Sequence, residues 1–162
     1  MVLRKRRGYT VATNVCRWVL ALVLIVSGFV KAVDPVGSMY KLQEYVEVFS
    51  LGAFSDEFLM LAAMLQAALE FLLGISLLMG IYRKFVTWFT PLVMLFFTVL
   101  TFVIYRGDMV ADCGCFGDAV TLSNGETFAK NVLLLLLSLV VFLGRRRLVY
   151  YISSKSRWMV TI

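Results

Sequence analysis

The sequence predicts an all-α, polytopic membrane protein: a bundle of four transmembrane helices with a short amphipathic helix in the first outer loop. Composition, long apolar segments and the placement of basic residues lead to this prediction. Of the 162 residues, 61% are hydrophobic and 14% are aromatic, which is too apolar for the surface of an ordinary soluble domain. Because no repeat, low-complexity segment or long linker interrupts the chain, we expect one membrane domain over residues 1–162.

The membrane helices are predicted from four apolar segments with few charges, at residues 15–33, 58–81, 85–105 and 128–144. At about 1.5 Å per residue, the second and third exceed the roughly 30 Å of a hydrocarbon core. The fourth is shorter and spans that core if Lys130 extends its ammonium to the interface. A signal peptide is the alternative for the first segment, although no small-residue cleavage site ends it. A half-buried helix is the alternative for the fourth, although VLLLLLSLVVFL has no polar face.

Orientation is predicted from the basic residues that flank these segments. They cluster on one predicted side, at residues 4–7, 83–84 and 145–147. The loops on the other side, 34–57 and 106–127, hold most of the acidic residues and only Lys41 and Arg106 as cations. We therefore expect basic cytoplasmic tails at 1–14 and 145–162. The formal net charge of +6 is explained by this pattern and by attraction to anionic headgroups, so it predicts a lipid bilayer and no nucleic acid as partner.

Two connections carry structural information. The tripeptide YRK at residues 82–84 is so short that the second and third segments are expected to be antiparallel neighbours. In the first outer loop, apolar residues fall near helical spacing from residue 38 to residue 49, with Lys41, Glu44 and Glu47 on the other side. This pattern predicts an amphipathic helix at the outer surface. A loop packed on the top of the bundle is an equally good interpretation.

Glu70 lies near the middle of the second predicted crossing, roughly 18 Å from its start, where an ionised carboxylate is costly. We expect it to face the bundle interior and to be protonated, hydrogen-bonded or paired. Gln66 and Gly74 lie one turn to either side on the same face, and Gly74 permits close helix approach. Two interpretations remain open: a polar pocket for a proton relay or a ligand headgroup, and a structural hydrogen bond between helices.

Lys31 and Arg17 lie near opposite ends of the first crossing, so neither is expected at the depth of Glu70. We therefore favour snorkelling of Lys31 to the interface over a direct ion pair with Glu70. Ser27 and Gly28, next to that lysine, are small enough to let another helix approach.

The stretch DCGCFGD, residues 112–118, places Cys113 and Cys115 on the predicted non-cytoplasmic side, where disulfides persist. A zinc site with Asp112 and Asp118 or a two-thiolate copper(I) site is one interpretation, but the chain has no histidine and no second outer cysteine pair. We therefore predict no metal. A static disulfide is a second interpretation, and closing so short a loop would stabilise the fold little.

Redox exchange is the interpretation that we favour for this pair. A disulfide between residues i and i+2 closes a strained ring, and strain makes a disulfide easier to reduce. Gly114 permits the backbone angles that such a ring demands. Cys16, at the other end of the first helix, is expected to be a packing residue.

Four motifs together resemble the small bacterial membrane proteins of the DoxX and MauE type: SGFVKAVDP, YKLQEY, ALEFLLGISLLMG and CGCFGD. The resemblance covers roughly residues 12–145, and the last motif is the most telling for the MauE branch. It implies a four-helix bundle in the bacterial inner membrane, similar in design to the quinone-linked disulfide-forming enzymes. It also implies a redox role for Cys113 and Cys115, with Glu70 and Lys31 as the polar positions of the family.

We therefore expect a thiol–disulfide redox protein in which Cys113 and Cys115 exchange electrons with a periplasmic thioredoxin-like partner. A quinone bound in a polar pocket at Glu70, Gln66 and Lys31 is a further expectation. The chain departs from the quinone-linked enzymes, which relay electrons between two cysteine pairs, because it has one outer pair only. The alternative is a non-enzymatic membrane anchor or assembly subunit whose CxC disulfide is structural.

Overall fold

The computed structural model describes residues 2–50, 52–107 and 123–147. These ranges contain five helices and a short 3-10 turn, which are α1 (Val2–Val33), α2 (Pro35–Val48), α3 (Asp56–Met79), α4 (Arg83–Gly107), α5 (Asn124–Leu143) and the turn Arg145–Arg147. The described residues contain no β-strand. The prediction of an all-α fold is confirmed.

Four of these helices are long and apolar enough to cross a membrane, within the segments Tyr9–Val33, Asp56–Met79, Lys84–Gly107 and Asn124–Leu143. The predicted number of crossings is confirmed. The apolar part of α1 that is long enough to cross extends from Tyr9, and the helix continues through the polar residues before residue 15 because their side chains bond to their own helix. Thr13 Oγ1 donates to Tyr9 O at 2.9 Å, and Asn14 Nδ2 donates to Thr10 O at 2.8 Å. Such bonds allow a helix to continue through polar residues in an apolar surrounding.

The predicted amphipathic helix is present as α2, and it begins at Pro35 rather than at residue 38. Asp34 caps its N-terminus by accepting a hydrogen bond from Gly37 N at 2.9 Å. Proline suits the first turn because its missing N–H would have no helical partner there. The alternative of a loop packed on the top of the bundle is wrong in conformation, because the segment is helical, but the segment does pack on the end of the bundle.

The position of α2 defines one end of the bundle. Met39 of α2 packs with Leu59 and Ala63 of α3, while Tyr45 of α2 packs against Ile104 near the end of α4. We call this the α2 end, and we call the opposite end, where α3 turns into α4, the turn end. The helix therefore covers the bundle at the α2 end.

The four crossings pack as two pairs. The most extensive contacts join α1 to α3 and α4 to α5, and contacts between α1 and α5 join the two pairs. Gly80 caps the end of α3 in the left-handed region, with a φ of 74°. The turn that follows it brings α4 back alongside α3. Contacts between α3 and α4 are sparse. The short turn joins them as the prediction of antiparallel neighbours requires, but α3 packs mainly against α1 and α4 mainly against α5 rather than against each other.

Two glycines allow the backbones of α1 and α3 to touch. A Cβ atom added at Gly28 would lie 2.6 Å from Phe71 N and 2.8 Å from Ala67 O. One added at Gly74 would lie 2.8 Å from Ile25 N. No side chain fits in these gaps without moving one helix, which confirms the prediction of close approach at both glycines. The two contacts fix the register of α1 against α3.

Candidate functional site

A buried ion pair joins α1 and α3. Lys31 Nζ lies 2.7 Å from Glu70 Oε1 and 2.7 Å from Oε2. The two residues are only 6% and 3% exposed. Burial of either charge alone would be costly, so the pairing is what makes both tolerable. The prediction that Lys31 snorkels away from Glu70 is wrong.

Side-chain direction explains why these two residues meet. Gly28 lies level with Ala67 and Phe71 along the bundle. The backbone of Lys31 therefore lies about 5 Å closer to the α2 end than Gly28 does, since a helix rises about 1.5 Å per residue. Side chains in a helix lean toward its N-terminus. Because α1 and α3 are antiparallel, Lys31 leans away from the α2 end and Glu70 leans toward it.

Ser27 and Gln66 complete the hydrogen bonding of the carboxylate. Ser27 Oγ donates to Glu70 Oε2 at 2.7 Å and accepts from Lys31 Nζ at 3.0 Å. Gln66 Nε2 donates to Glu70 Oε1 at 3.3 Å. Gln66 was predicted to share the face of Glu70, whereas Ser27 was noted only for its small size. All four polar side chains therefore act as one network.

A cavity of about 110 Å³ lies beside this network, which we call the ion-pair cavity. All five helices contribute to its walls, and α2 forms the wall at the α2 end. The polar residues on its walls, apart from the network, include Lys41, Tyr45, Thr101, Lys130 and Asn131. The apolar residues include Leu42, Phe97 and Leu134. The cavity lining is thus partly polar and partly apolar.

Two lysines on these walls were expected elsewhere. Lys130 was expected to extend its ammonium to the interface, but it is half-buried and lines the cavity. Lys41 was placed on the polar side of α2, and it also lines the cavity, with 22% of its side chain exposed. It donates to Glu44 Oε2 at 3.3 Å across one helical turn. Both lysines therefore add positive charge to the cavity wall.

A second polar network, between α4 and α5, was not predicted. Asn131 Nδ2 donates to Thr101 Oγ1 at 3.2 Å, and Thr98 Oγ1 lies 3.3 Å from the backbone oxygen of Asn131. The signal in the sequence was an asparagine next to Lys130 in an otherwise apolar segment. Isolated polar residues in membrane helices commonly bond across to a neighbouring helix.

The expected quinone would lie in the ion-pair cavity, which Lys31, Gln66 and Glu70 line together. The donors of these residues are engaged within the network, because Lys31 donates to Ser27 and Glu70, and Gln66 donates to Glu70. We derive no reaction step through a quinone at this site.

The predicted redox residues Cys113 and Cys115 lie outside the described residues, as do Asp112 and Asp118. The flanks of that segment are described. At one flank α4 ends at Gly107, close to the packing of Ile104 against α2. At the other flank α5 begins after Ser123, whose side chain caps it.

Two further residues of α1 have clear surroundings. Cys16 is half-buried and packs against the main apolar core, as predicted. Arg17 was expected near the inner end of the first crossing, and the structure buries it to 1% exposure within the bundle. It does not line the ion-pair cavity.

These features define a class: a membrane protein of four crossing helices with a buried Lys–Glu pair beside a small polar cavity. Within that class, the family model described as "Methylamine utilisation protein MauE" matches residues 9–144. The chain belongs to the MauE family. Comparison with curated proteins and with solved structures gave no match.

Proposed function

We propose that this membrane protein of the MauE family is a thiol–disulfide exchange protein, with Cys113 and Cys115 as the exchanging pair. The CxC spacing is the observation that supports the proposal most, because two thiols separated by one glycine close a strained and readily reduced disulfide. The pair lies between α4 and α5, whose described flanks reach the α2 end. A connection between two crossings, rather than a crossing itself, suits exchange with a soluble partner.

The exchange needs no co-reactant other than the partner. A thiolate of a thioredoxin-like dithiol partner attacks one sulfur of the disulfide, so that the intramolecular S–S bond breaks and a mixed disulfide forms. The second thiolate of the partner then attacks the partner's sulfur in the mixed disulfide. The mixed disulfide breaks, and a disulfide forms within the partner. The partner leaves oxidised by two electrons, and Cys113 and Cys115 gain those electrons and two protons. The same steps in reverse oxidise the pair and reduce the partner.

We also propose that the exchange takes place in the periplasm. Basic residues flank the crossings at the turn end, and acidic residues predominate in the two connections at the α2 end. The positive-inside rule then orients both termini toward the cytoplasm and the CxC segment toward the periplasm of a bacterial inner membrane. Disulfides persist in that compartment.

The family description suggests the biological setting. We infer that the chain serves methylamine utilisation, since this is the role named for the matching family. A redox protein of that setting would keep the disulfides of another exported protein in their working state. Kinship with DoxX proteins and the CGCFG motif as a family signature remain predictions.

Trapping of the mixed disulfide tests the proposal. Cys115→Ser leaves Cys113 able to attack a partner disulfide but removes the thiol that would resolve the adduct. After acid quench and thiol blocking, we expect a covalent adduct that disappears on reduction. Cys16→Ser is the matched control, because it removes a thiol that packs in the bundle, and it should trap nothing.

One outcome would end the redox proposal. If Cys115→Ser yields no adduct and the double variant Cys113→Ser/Cys115→Ser supports full growth on methylamine, the pair has no exchange role. The chain is then better described as a membrane anchor or assembly subunit with a structural CxC disulfide.

A further inference from the structure

A groove of about 590 Å³ lies between α3 and α4, where these two helices make few contacts with each other. We call it the α3–α4 groove. Leu73 and Val86 form its buried floor, with 6% and 4% exposure, and Leu65, Leu72 and Phe85 are exposed along its sides. The groove is therefore open on the outer face of the bundle, which lies against lipid in a membrane protein.

The α3–α4 groove has the depth of one leaflet. Tyr82, in the connection between the two helices, lines it at the turn end, and Leu65 lines it near the middle of α3. Leu65 and Ser76 lie eleven positions apart in α3, which corresponds to about 16 Å of helix. Half of a hydrocarbon core of roughly 30 Å has nearly the same extent. An acyl chain of one leaflet thus matches the groove in length.

Polar groups line the groove at the turn end only. Ser76 and Tyr82 supply hydroxyl groups there, and the other lining residues are apolar. A polar ligand would lack hydrogen-bond partners along most of the groove, whereas a hydrocarbon chain needs none. Tyrosine is typical of the headgroup level of a bilayer. The groove therefore suits an amphiphile whose headgroup lies at Tyr82.

The turn end of the groove is positively charged. Lys84 is exposed in the first turn of α4, between Tyr82 and Phe85 in the chain, and this turn of the helix contains no acidic residue. The N–H groups at the start of a helix add to the positive potential. A headgroup beside Tyr82 is thus within a positive field.

The residues outside the described ranges do not bring acidic side chains of their own to this end. Residues 1–33, 71–107 and 127–162 contain no acidic residue, and these ranges include residue 1 and residues 148–162. The other undescribed residues are 51 and 108–122, and their described neighbours lie at the α2 end. Basic residues near a bilayer surface attract anionic lipids. The sign of the charge therefore favours an anionic headgroup over a zwitterionic one.

We propose that the α3–α4 groove binds one anionic phospholipid. An acyl chain lies along the groove over Leu73 and Val86, and the phosphate group contacts Lys84 and the hydroxyl group of Tyr82. The lipid then fills the space where α3 and α4 make few direct contacts. The site depends neither on the proposed exchange at Cys113 and Cys115 nor on the orientation of the protein.

Photochemical labelling of the full chain in phosphatidylcholine nanodiscs tests this site. The probes are phosphatidylglycerol and phosphatidylcholine with the same diazirine group in the middle of one acyl chain. Labelled residues are located by proteolysis and mass spectrometry. We expect phosphatidylglycerol to label the groove about fivefold more than phosphatidylcholine, the factor that corresponds to about 1 kcal/mol for one basic residue near the headgroup.

Variants locate the headgroup and the acyl chain. Lys84→Gln should remove most of the preference for phosphatidylglycerol, whereas Arg146→Gln should leave it unchanged, because Arg146 is exposed at the same end but does not line the groove. Ala68→Trp should fill the groove and prevent its labelling by both lipids. Ala32→Trp, at an exposed alanine outside the groove, should not. If Ala68→Trp does not fold, as judged by gel filtration, Lys84→Gln and Arg146→Gln decide.

Three results would each overturn the inference. Equal labelling of the groove by the two lipids would mean that it does not select a charge. An equal loss of preference in Lys84→Gln and Arg146→Gln would mean that the lipid responds to the overall charge of the turn end. Absence of groove labelling by either lipid would mean that something else covers the groove, such as a second copy of the chain or residues 148–162. The trapping of an adduct at Cys113 is measured separately, so either proposal can fail while the other stands.

Discussion

Lys31 and Glu70 lie 39 residues apart in the chain, yet Lys31 Nζ contacts both carboxylate oxygens of Glu70 at 2.7 Å. Glu70→Gln leaves the buried ammonium without its counter-charge. We expect a loss of unfolding free energy of about 3–5 kcal/mol, measured by denaturant titration in detergent micelles. The double variant Lys31→Met/Glu70→Leu should recover much of this loss, because a buried pair replaced by apolar residues is often neutral.

The partly exposed pair of Lys41 and Glu44 supplies the matched control for that experiment. Its atoms lie 3.3 Å apart with side chains 22% and 36% exposed. Glu44→Gln should change the unfolding free energy by no more than about 0.5 kcal/mol. An equal effect of Glu70→Gln and Glu44→Gln would contradict the structural importance of the buried pair.

Close contact at Gly28 should make this position intolerant of even one methyl group. Gly28→Ala brings a Cβ to 2.6 Å from Phe71 N, and backbone cannot move aside as a flexible side chain does. We expect a loss of about 1–3 kcal/mol in the same denaturant titration. Gly125→Ala is the control, because its Cβ would lie 3.4 Å from the Tyr105 ring and alanine favours a helix. Destabilisation by Gly125→Ala as large as that by Gly28→Ala would show that the effect is not specific to this helix contact.

The amide of Asn131 should stabilise the pair of α4 and α5. Asn131→Leu keeps the size of the side chain but removes the hydrogen bond to Thr101. A loss of about 0.6–2 kcal/mol is expected from measurements on membrane helices. Ser138→Ala serves as comparison, because the Ser138 hydroxyl donates at 2.7 Å to Leu135 O of its own helix. A larger effect of Ser138→Ala would argue against an interhelical role for Asn131.

The cap of α2 controls the stability of the wall at the α2 end. Asp34→Ala removes the acceptor for Gly37 N and should cost about 1 kcal/mol. Hydrogen exchange of the α2 amides should then accelerate about fivefold, the factor that corresponds to this energy. Ser55→Ala removes the cap of α3 instead, so its effect should be confined to the start of α3. Unchanged exchange in α2 after Asp34→Ala would refute the capping role.

Labelling of intact cells tests the proposed orientation. After reduction, a membrane-impermeant maleimide should modify Cys113 or Cys115, and it should not modify Cys16. The variant Cys113→Ser/Cys115→Ser, in which Cys16 is the remaining thiol, should then be unlabelled until the cells are opened and the protein is denatured. Labelling of Cys16 from outside would mean that the bundle has the opposite orientation.

The crossings and α2 could be predicted because they depend on local properties of the chain. Apolar length marks α3 and α4, and apolar spacing marks α2. The small size of Gly28 and Gly74 likewise indicated a close contact. The continuation of α1 before residue 15 could not be predicted by counting apolar residues, because Thr13 and Asn14 satisfy their polar groups within the helix.

The ion pair could not be predicted, because it depends on the register between two helices. Counting residues from the helix ends places Lys31 far from Glu70, but the contact of Gly28 with Ala67 and Phe71 sets their relative depth. The leaning of side chains toward each helix N-terminus then closes the gap. The cavity walls at Lys130 and Asn131 depend on the packing of α5, which no local pattern encodes.

The pairing of α1 with α3 also bears on how the chain enters the membrane. Both glycine contacts and the Lys31–Glu70 pair form within the first two crossings and need nothing from α4 or α5. During synthesis, the first half of the protein can therefore pair Lys31 with Glu70 as soon as the second crossing leaves the insertion machinery. We expect α4 and α5 to insert afterwards as a hairpin and to pack against a pair of α1 and α3 that has already formed.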